Sequence, residues 1–194
     1  MDDRGSDPFA ALEAEGWDAV IGMLDVDPEF INARDGDGST LLHLAIQQRR
    51  TEQVRRLLEA GADANAVAGK GMSPLVLAME SACPSELVPI LVEHGADPNA
   101  VDADGFSVLE RAAMGIDYGW VPALLAVGAS IAADDQGRNY PLLQAAFPGL
   151  WVNVQSLLDA GAPASQGPNV FLQPIHPAAA RGHLKVVELL LEHG

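Results

Sequence analysis

Apolar residues along this chain follow helical spacing, and the helical segments return at a fixed interval. Runs such as Val54-Arg55-Arg56-Leu57-Leu58 and Val154-Gln155-Ser156-Leu157-Leu158 place apolar residues at i, i+3 and i+4, which is one face of an amphipathic helix. Each run is followed by a glycine, and the steps between successive glycines are 34, 33, 33 and 33 residues for Gly61, Gly95, Gly128, Gly161 and Gly194. A period in this range predicts a stack of similar two-helix units rather than one globular core.

A second recurring phrase predicts the start of another helix before each of these runs. Copies are Gly38-Ser39-Thr40-Leu41-Leu42-His43, Gly71-Met72-Ser73-Pro74-Leu75 and Gly105-Phe106-Ser107-Val108-Leu109. A hydroxyl side chain before an apolar run caps the free N–H groups of a helix, and proline fits the first helical turn. The preceding Asp35-Gly36-Asp37-Gly38 is typical of a hairpin turn, because glycine supplies the positive φ angles that such turns need.

These phrases resemble the ankyrin repeat, whose pattern is a hairpin turn, Thr-Pro-Leu-His-x-Ala, Gly-His, a Val-Val-x-Leu-Leu helix and Gly-Ala-Asp. The best match lies in residues 174–191, where Pro174-Ile175-His176 is followed by Gly182-His183 and Val186-Val187-Glu188-Leu189-Leu190. The resemblance implies an all-α fold, an ankyrin-repeat solenoid of helix-turn-helix units joined by β-hairpin-like turns. The predicted parts are a flexible acidic N-terminus at 1–6, a degenerate N-capping repeat at 7–33, repeats at 34–66, 67–100, 101–133 and 134–166, and a final truncated repeat at 167–194.

In three repeats, the first of the two helices lacks the histidine of the family pattern. Val76, Glu110 and Leu143 stand at the position that His43 and His176 occupy in their repeats. The resemblance implies that this histidine forms hydrogen bonds between neighbouring repeats, so we expect those bonds to be missing at the three positions. The stack is therefore predicted to be least regular in its middle.

The 194-residue chain has a net charge of −16, and its acidic residues are unevenly distributed. Residues 1–37 hold 11 acidic and two basic side chains, and residues 57–137 hold 12 acidic and two basic ones. Residues 138–194 hold three of each. Such a surface repels nucleic-acid phosphates and anionic lipid, and it favours a basic protein as the partner. The alternative is that the acidity only keeps the array soluble.

Targeting signals and disulfides are not indicated. No apolar stretch approaches the roughly 18 residues of a membrane span, and the N-terminal residues lack the apolar region of a signal peptide. The single cysteine, Cys83, excludes an internal disulfide. We therefore expect a cytoplasmic monomer that binds neither nucleic acid nor membranes.

Residue types that carry catalysis or bind metals occupy positions that the repeat already explains. His43 and His176 match the Thr-Pro-Leu-His position, His183 the Gly-His turn, and His94 and His193 the helix end before glycine. Cys83 has no Cys or His at metal-ligand spacing, and the Asp35–Gly38 turn lacks the closing Glu of a calcium loop. The sequence therefore predicts no enzyme activity, no metal and no cofactor.

The candidate functional residues lie where the resemblance implies that partners dock, which is the concave side made of hairpin tips and the outer edge of each first helix. Large apolar groups surrounded by charge of one sign are typical of an interface hot spot. In the alternative interpretation, Met and Phe fill gaps between first helices and the aspartates only stabilise turns. The predicted partner-binding residues are Asp35, Asp37, Gln47, Gln48, Lys70, Met72, Glu80, Asp102, Asp104, Phe106, Met114, Asp134, Asp135 and Phe147.

Three aromatic residues stand in the turns of the less regular repeats. If Tyr118, Trp120 and Trp151 are exposed together, they form a second candidate binding patch. The alternative is that tryptophan at a turn covers the core.

Three functions fit this sequence. The leading hypothesis is a non-catalytic scaffold or adaptor that binds a partner protein through an acidic concave face. The second is an inhibitor of the immunity or antitoxin type, which neutralises a basic enzyme or toxin. The third is a regulatory ankyrin segment of a larger protein, because the chain stops at Gly194, soon after the apolar run Leu189-Leu190-Leu191, without a capping repeat.

Overall fold

A computed structural model of the chain describes residues 7–24, 28–79, 84–131, 140–165, 167 and 172–194. Within these ranges the protein consists of short helices joined by turns, without a β-strand, and the predicted all-α fold is confirmed. Two isolated antiparallel bridges, Ala68 with Met72 and Val101 with Ser107, give two of the connecting turns the hairpin character expected of them. The chain divides into two compact units, Met1–Asp97 and Pro98–Gly194.

The first unit is built from helices that pack in consecutive pairs. Helix α1 packs on α2, α3 on α4 and α5 on α6, while α2, α4 and α6 also form a packed row and α3 contacts α5. Short 3-10 turns at Pro28–Asn32 and Gly69–Gly71 connect the pairs. The helices are α1 (Pro8–Glu15), α2 (Trp17–Leu24), α3 (Leu41–Gln47), α4 (Thr51–Glu59), α5 (Pro74–Ala78) and α6 (Pro84–Glu93).

The second unit repeats the same arrangement. Helix α7 packs on α8, α9 on α10 and α11 on α12. One packed row contains α7, α9 and α11, and the other contains α8, α10 and α12. The helices are α7 (Val108–Met114), α8 (Trp120–Ala126), α9 (Pro141–Ala146), α10 (Trp151–Asp159), α11 (Ile175–Ala180) and α12 (Leu184–His193).

The helix boundaries follow from the recurring phrases. The Ser73 hydroxyl accepts a hydrogen bond from the N–H of Val76 at 3.3 Å, which caps α5 as predicted. After the second helices, Gly61, Gly95, Gly128 and Gly161 have φ of 94°, 93°, 86° and 89°. Glycine adopts this left-handed conformation without a steric cost, so each helix can stop and the chain can turn towards the next repeat.

An asparagine ladder joins the ends of successive repeats. The Asn65 Oδ1 accepts from the N–H of Asp97 at 2.8 Å, while its Nδ2 donates to the carbonyl of Gly95 at 2.6 Å. Asn32 makes the equivalent bond to the N–H of Asp63 at 2.8 Å. In the second unit the Asn99 Oδ1 accepts from the N–H of Ser130 at 2.7 Å. Asn32, Asn65 and Asn99 therefore each satisfy backbone groups of the turn that follows the second helix of the next repeat.

Buried His43 links the first helix of its repeat to the following repeat, as the resemblance implied. The Nδ1 of His43 accepts from the N–H of Thr40 at 3.2 Å, and its Nε2 lies 3.0 Å from the carbonyl oxygen of Met72. Nε2 therefore carries the proton and donates to the next repeat. Burial disfavours the charged imidazolium and lowers the pKa of His43 below its usual value.

Glu110 corrects the expectation that its repeat would lack such a link. Its Oε2 accepts from the N–H of Ser107 at 2.9 Å, and its Oε1 accepts from the N–H of Tyr140 at 2.8 Å. Tyr140 belongs to the following repeat, and Glu110 is buried. A carboxylate therefore bridges two neighbouring repeats where histidine is absent.

We expect the unfolding free energy of the protein to fall as the pH drops below about 6.5. Above that value His43 is neutral in both states, but below it the unfolded chain takes up a proton that the folded chain does not, because the folded pKa is lowered. One proton changes the unfolding free energy by about 1.4 kcal/mol per pH unit at most. Urea unfolding at pH 7.5 and 5.5 measures this loss for the natural chain and for His43→Gln.

The matched control is His176→Gln, which removes a histidine from the same repeat position in an exposed setting. The pH-dependent loss should shrink in His43→Gln and stay in His176→Gln. An equal loss in all three proteins would contradict the assignment to His43.

Candidate functional site

The first predicted acidic tip is the turn Asp35–Ser39 in the first unit. The Oδ1 of Asp35 accepts hydrogen bonds from the N–H groups of Asp37 at 2.9 Å and Ser39 at 2.8 Å. Gly38 completes the turn with φ of 78°, whereas Gly36, the other predicted site of positive φ, does not adopt it. Asp35 is therefore committed to the turn, and Asp37 is the exposed carboxylate at its tip.

The second tip, Asp102–Phe106 in the second unit, has the same geometry. The Oδ1 of Asp102 accepts from the N–H groups of Asp104 at 2.9 Å and Phe106 at 3.1 Å. Gly105 has φ of 83°. The inner aspartate again closes the turn, while the side chain of Asp104 is 71% exposed.

Arg111 of α7 holds the second tip by electrostatic contacts on three sides. Its guanidinium forms ion pairs with the carboxylates of both Asp102 and Asp104. Its Cζ also lies 4.8 Å from the ring centre of Phe106, a cation–π contact. The predicted ring of uncompensated negative charge is therefore interrupted here by an arginine.

The ionisation of this cluster reflects the same contacts. Burial alone would raise the pKa of Asp102, but hydrogen bonds from the Arg111 guanidinium and from the N–H of Phe106 outweigh it and hold the pKa below its usual value. The hydrogen bond to Asp102 raises the pKa of Arg111 in turn. Both groups are therefore charged at neutral pH, and the second tip binds a guanidinium.

The first tip carries the same carboxylates without the corresponding arginine. Leu44 lies nine residues after Asp35, just as Arg111 lies nine residues after Asp102. The neighbouring Arg34 donates instead to the backbone carbonyls of Gly38 at 2.9 Å and Val67 at 2.6 Å. Among the side chains that the structure describes, none forms an ion pair with Asp37.

The remaining predicted residues of the first unit have mixed roles. Gln47 and Gln48 are exposed at the end of α3, but the Oε1 of Gln48 accepts from the indole N–H of Trp17 at 2.8 Å. Met72 is half-buried at the turn closed by the Ala68–Met72 bridge. Of these three residues, only Gln47 is exposed and makes no contact that stabilises the fold within the described part of the chain.

The apolar residues of the second unit are less exposed than predicted, with one exception. Phe106 and Met114 are half-buried. Phe147 is 47% exposed, and the guanidinium carbon of Arg181 lies 3.8 Å from its ring centre. A cation therefore covers this phenylalanine too.

Some predicted positions lie outside the described residues. Glu80, Asp134 and Asp135 fall in the gaps between the described ranges, as does Cys83. Lys70 belongs to the 3-10 turn Gly69–Gly71, and the placement of its side chain is likewise outside the described part of the chain.

The predicted aromatic patch does not form as a group of three. Trp120 is the first residue of α8 and is only 2% exposed, so it covers the core, in agreement with the alternative interpretation of a tryptophan at a turn. Tyr118 and Trp151 are 42% and 50% exposed. The physical reason is helical phase, since Trp120 lies four residues before the buried Leu124 and therefore shares its face of α8.

Asn153 is a structural residue that the sequence interpretation missed. It is fully buried in α10, and its Nδ2 lies 3.3, 3.1 and 2.9 Å from the carbonyl oxygens of Ala112, Ala113 and Gly115 at the end of α7. The carbonyl of Ala112 also accepts from the N–H of Gly115 at 3.0 Å, and the last carbonyls of a helix generally need partners of this kind from outside the helix. The available signal was a polar residue where three of the other repeats have the apolar residues Leu87, Trp120 and Val186.

The described residues were also compared with the requirements of a metal site and of a membrane-spanning helix. They contain no group of three or more His, Cys, Asp or Glu side chains placed to hold a metal ion. None of the described helices is long and apolar enough to cross a membrane.

Comparisons with known proteins agree with this architecture. A family model described as ankyrin repeats (3 copies) matches residues 9–102, and one described as ankyrin repeat matches residues 173–194. Together they cover more than half of the chain.

Solved structures with the same fold include three crystal structures. The ankyrin repeat protein EF0377 has a TM-score of 0.84 and 22% identity, with both chains covered in full. An ankyrin repeat domain (ABAYE2397) from Acinetobacter baumannii AYE has a TM-score of 0.80 and 27% identity over 96% of each chain. The ankyrin repeat domain of Bcl-3, a member of the IkappaB protein family, has a TM-score of 0.86 and 28% identity over 100% of this chain and 88% of that one.

Proposed function

Since the chain belongs to the ankyrin-repeat family, whose repeats are generally protein–protein interaction modules, we propose that it is a non-catalytic adaptor for a basic partner. The partner's arginine or lysine side chains bind the acidic hairpin tips. The first tip, Asp35–Ser39, is the principal contact, and the second tip contributes only through the exposed edge of Asp104.

The observation that supports this proposal is the difference between the two tips. In the second unit, a pair of aspartates of fixed geometry holds the guanidinium of Arg111. In the first unit, the same pair of aspartates has Leu44 at the position of that arginine. Charge-assisted hydrogen bonds between carboxylate and guanidinium are strong and geometrically specific. A partner's arginine can therefore supply the group that the first unit lacks.

The rest of the chain favours the encounter with such a partner. A net charge of −16 attracts a basic surface from a distance and accelerates association at low ionic strength. The exposed Gln47 at the end of α3 offers an uncharged hydrogen-bonding group in the same repeat. An inhibitor that neutralises a basic enzyme would use the same contact, and it differs from an adaptor only in what the bound partner can still do.

Affinity capture from the cell of origin tests the proposal with charge-matched variants. We expect the natural chain and Glu59→Lys to retain the same basic protein, whereas Asp37→Lys loses it. Each substitution changes the charge by the same amount at an exposed carboxylate, but Glu59 lies at the end of α4 and not at a hairpin tip. The loss should correspond to an affinity that is lower by about tenfold or more.

The proposal fails if Asp37→Lys and Glu59→Lys retain the captured protein equally well, or if the captured protein is acidic. Assay of a captured enzyme with and without the bound chain separates the two versions: an unchanged activity indicates an adaptor and a lost activity indicates an inhibitor.

A further inference from the structure

An exposed apolar row runs along the turns between the helices of the second unit. Tyr118, Trp151 and Leu184 are spaced 33 residues apart and occupy the same position in three successive repeats. Their exposed fractions are 42%, 50% and 73%. Ile116, in the turn before Tyr118, is 81% exposed. We refer to these four residues as the apolar ridge.

The apolar ridge is specific to the second unit. The equivalent position in the first unit is occupied by Thr51 and Ser85, which are the polar residues expected at the solvent-facing start of a second helix. The change from polar to large apolar side chains in three consecutive repeats leaves a substantial apolar surface in water. Contiguous exposed apolar surface of this kind marks an interaction site.

The packing of the second unit aligns the ridge. Trp151 and Leu184 are the first residues of α10 and α12, and Tyr118 lies two residues before the start of α8. These three helices form a packed row, in which neighbouring axes lie about 8–10 Å apart. The three side chains therefore form a line about 20 Å long.

The two ends of this line carry opposite charges. Asp117 is exposed next to Tyr118, and Lys185 is exposed next to Leu184. Lys185 forms an ion pair with Glu188 at 3.6 Å, but both side chains are more than half exposed, so the pair contributes little and can exchange partners. The ridge thus has a negative end, an apolar centre and a positive end.

We propose that the apolar ridge binds a second copy of this chain, related by a two-fold axis through Trp151. In a two-fold contact, residue i of one copy meets residue j of the other and the reverse also holds. With the two ridges antiparallel, Trp151 meets Trp151, Tyr118 meets Leu184 of the second copy, and Asp117 meets Lys185 of the second copy. The ridge is therefore complementary to a reversed copy of itself, both in the order of its apolar side chains and in the charges at its ends.

The charge distribution of the chain favours contact at this place. Residues 138–194 hold equal numbers of acidic and basic side chains, whereas the rest of the chain carries the whole net charge of −16. Two copies repel each other where that charge is concentrated, and charges beyond about 8 Å are screened at physiological salt. A contact centred on Trp151 brings together the segment of the chain that carries no net charge.

This dimer goes beyond the proposed function and is independent of it, because it uses none of the hairpin-tip residues. A short ridge buries less surface than a permanent interface, so we expect a dissociation constant in the micromolar range. The full chain is the test material, and sedimentation from about 1 to about 500 μM measures its mass.

We expect the natural chain to become dimeric over this range, with Trp151→Ser raising the dissociation constant about tenfold or more. Asp117→Lys and Lys185→Asp each place like charges together twice per dimer and should weaken it about fivefold to tenfold. The double variant Asp117→Lys/Lys185→Asp restores the opposite pairs and should recover most of the affinity. Asp159→Lys, a matched charge change at the far end of α10, should leave the dimer unchanged.

Thermal unfolding verifies that each variant folds. If Asp117→Lys disturbs its turn, the Lys185→Asp variant alone tests the pairing of charges. A chain that stays monomeric at the highest concentration overturns the proposal. So does a dimer that persists in Trp151→Ser, or a double variant that is weaker than both single ones.

Discussion

Asn153→Asp lowers the unfolding free energy by at least about 3 kcal/mol, the largest effect that we expect from a single polar substitution in this chain. Asn153 is fully buried, and its Nδ2 is the donor for carbonyl oxygens at the end of α7. An aspartate of the same shape has no donor when ionised. It would place a buried negative charge against carbonyl oxygens, or it would take up a proton at a cost in free energy that increases with pH. Urea unfolding measured by circular dichroism gives the size of the loss.

The matched control is Asn99→Asp, which makes the same chemical change in the same unit. The Oδ1 of Asn99 accepts from the N–H of Ser130, and a carboxylate retains that oxygen. Asn99 is also exposed, so water can solvate the new charge and replace a lost donor. We therefore expect a loss below about 1 kcal/mol for Asn99→Asp. Equal losses in the two variants would contradict the role assigned to the Asn153 amide as a donor.

Leu44→Arg weakens the binding of a basic partner although it removes no carboxylate. Position 44 stands in the same relation to Asp35 and Asp37 as position 111 does to Asp102 and Asp104. A new arginine there should pair with the first tip as Arg111 pairs with the second. The internal guanidinium then competes with the partner's arginine at an effectively high local concentration, and the affinity should fall about tenfold or more.

Arg111→Leu is the reciprocal change, and it should open a second site for a guanidinium at Asp102 and Asp104. It should also lower the unfolding free energy by about 1–3 kcal/mol, because the side chain of Asp102 is only 6% exposed and loses its cation. Calorimetric titration with the captured partner measures the first effect and urea unfolding the second. A Leu44→Arg chain that binds as tightly as the natural one would contradict the assignment of the first tip.

The period of the chain was sufficient to predict the fold, because each repeat packs against a neighbouring repeat of the same structure. Gly61 and Gly95 follow helices in every copy of the phrase, so their left-handed conformation could be predicted from their position alone. Asn65 lies at a fixed distance after Gly61, and the same regularity builds the asparagine ladder. These features depend only on the local sequence and on contacts with the adjacent repeat, whose structure is the same.

The candidate site was harder to predict, because it depends on how departures from the repeat are compensated. Arg111 and Glu110 both replace apolar or histidine positions, and their partners were not evident until the turn geometry placed Asp102 and Tyr140 beside them. The fate of the aromatic residues depended on helical phase, since Trp120 is buried and Tyr118, two residues earlier, is exposed. A shift of one or two positions at the start of a helix decides such a case.

The claim that the acidic tips recognise a guanidinium is tested most directly by NMR titration with a small peptide that carries one arginine, acetyl-Gly-Arg-Gly-amide. In the natural chain the amide signals of residues 35–39 should shift much more than those of 102–106. Leu44→Arg should suppress the shifts at the first tip, and Arg111→Leu should add shifts at the second. Equal shifts at both tips of the natural chain, or shifts at 35–39 that survive in Leu44→Arg, would contradict the account.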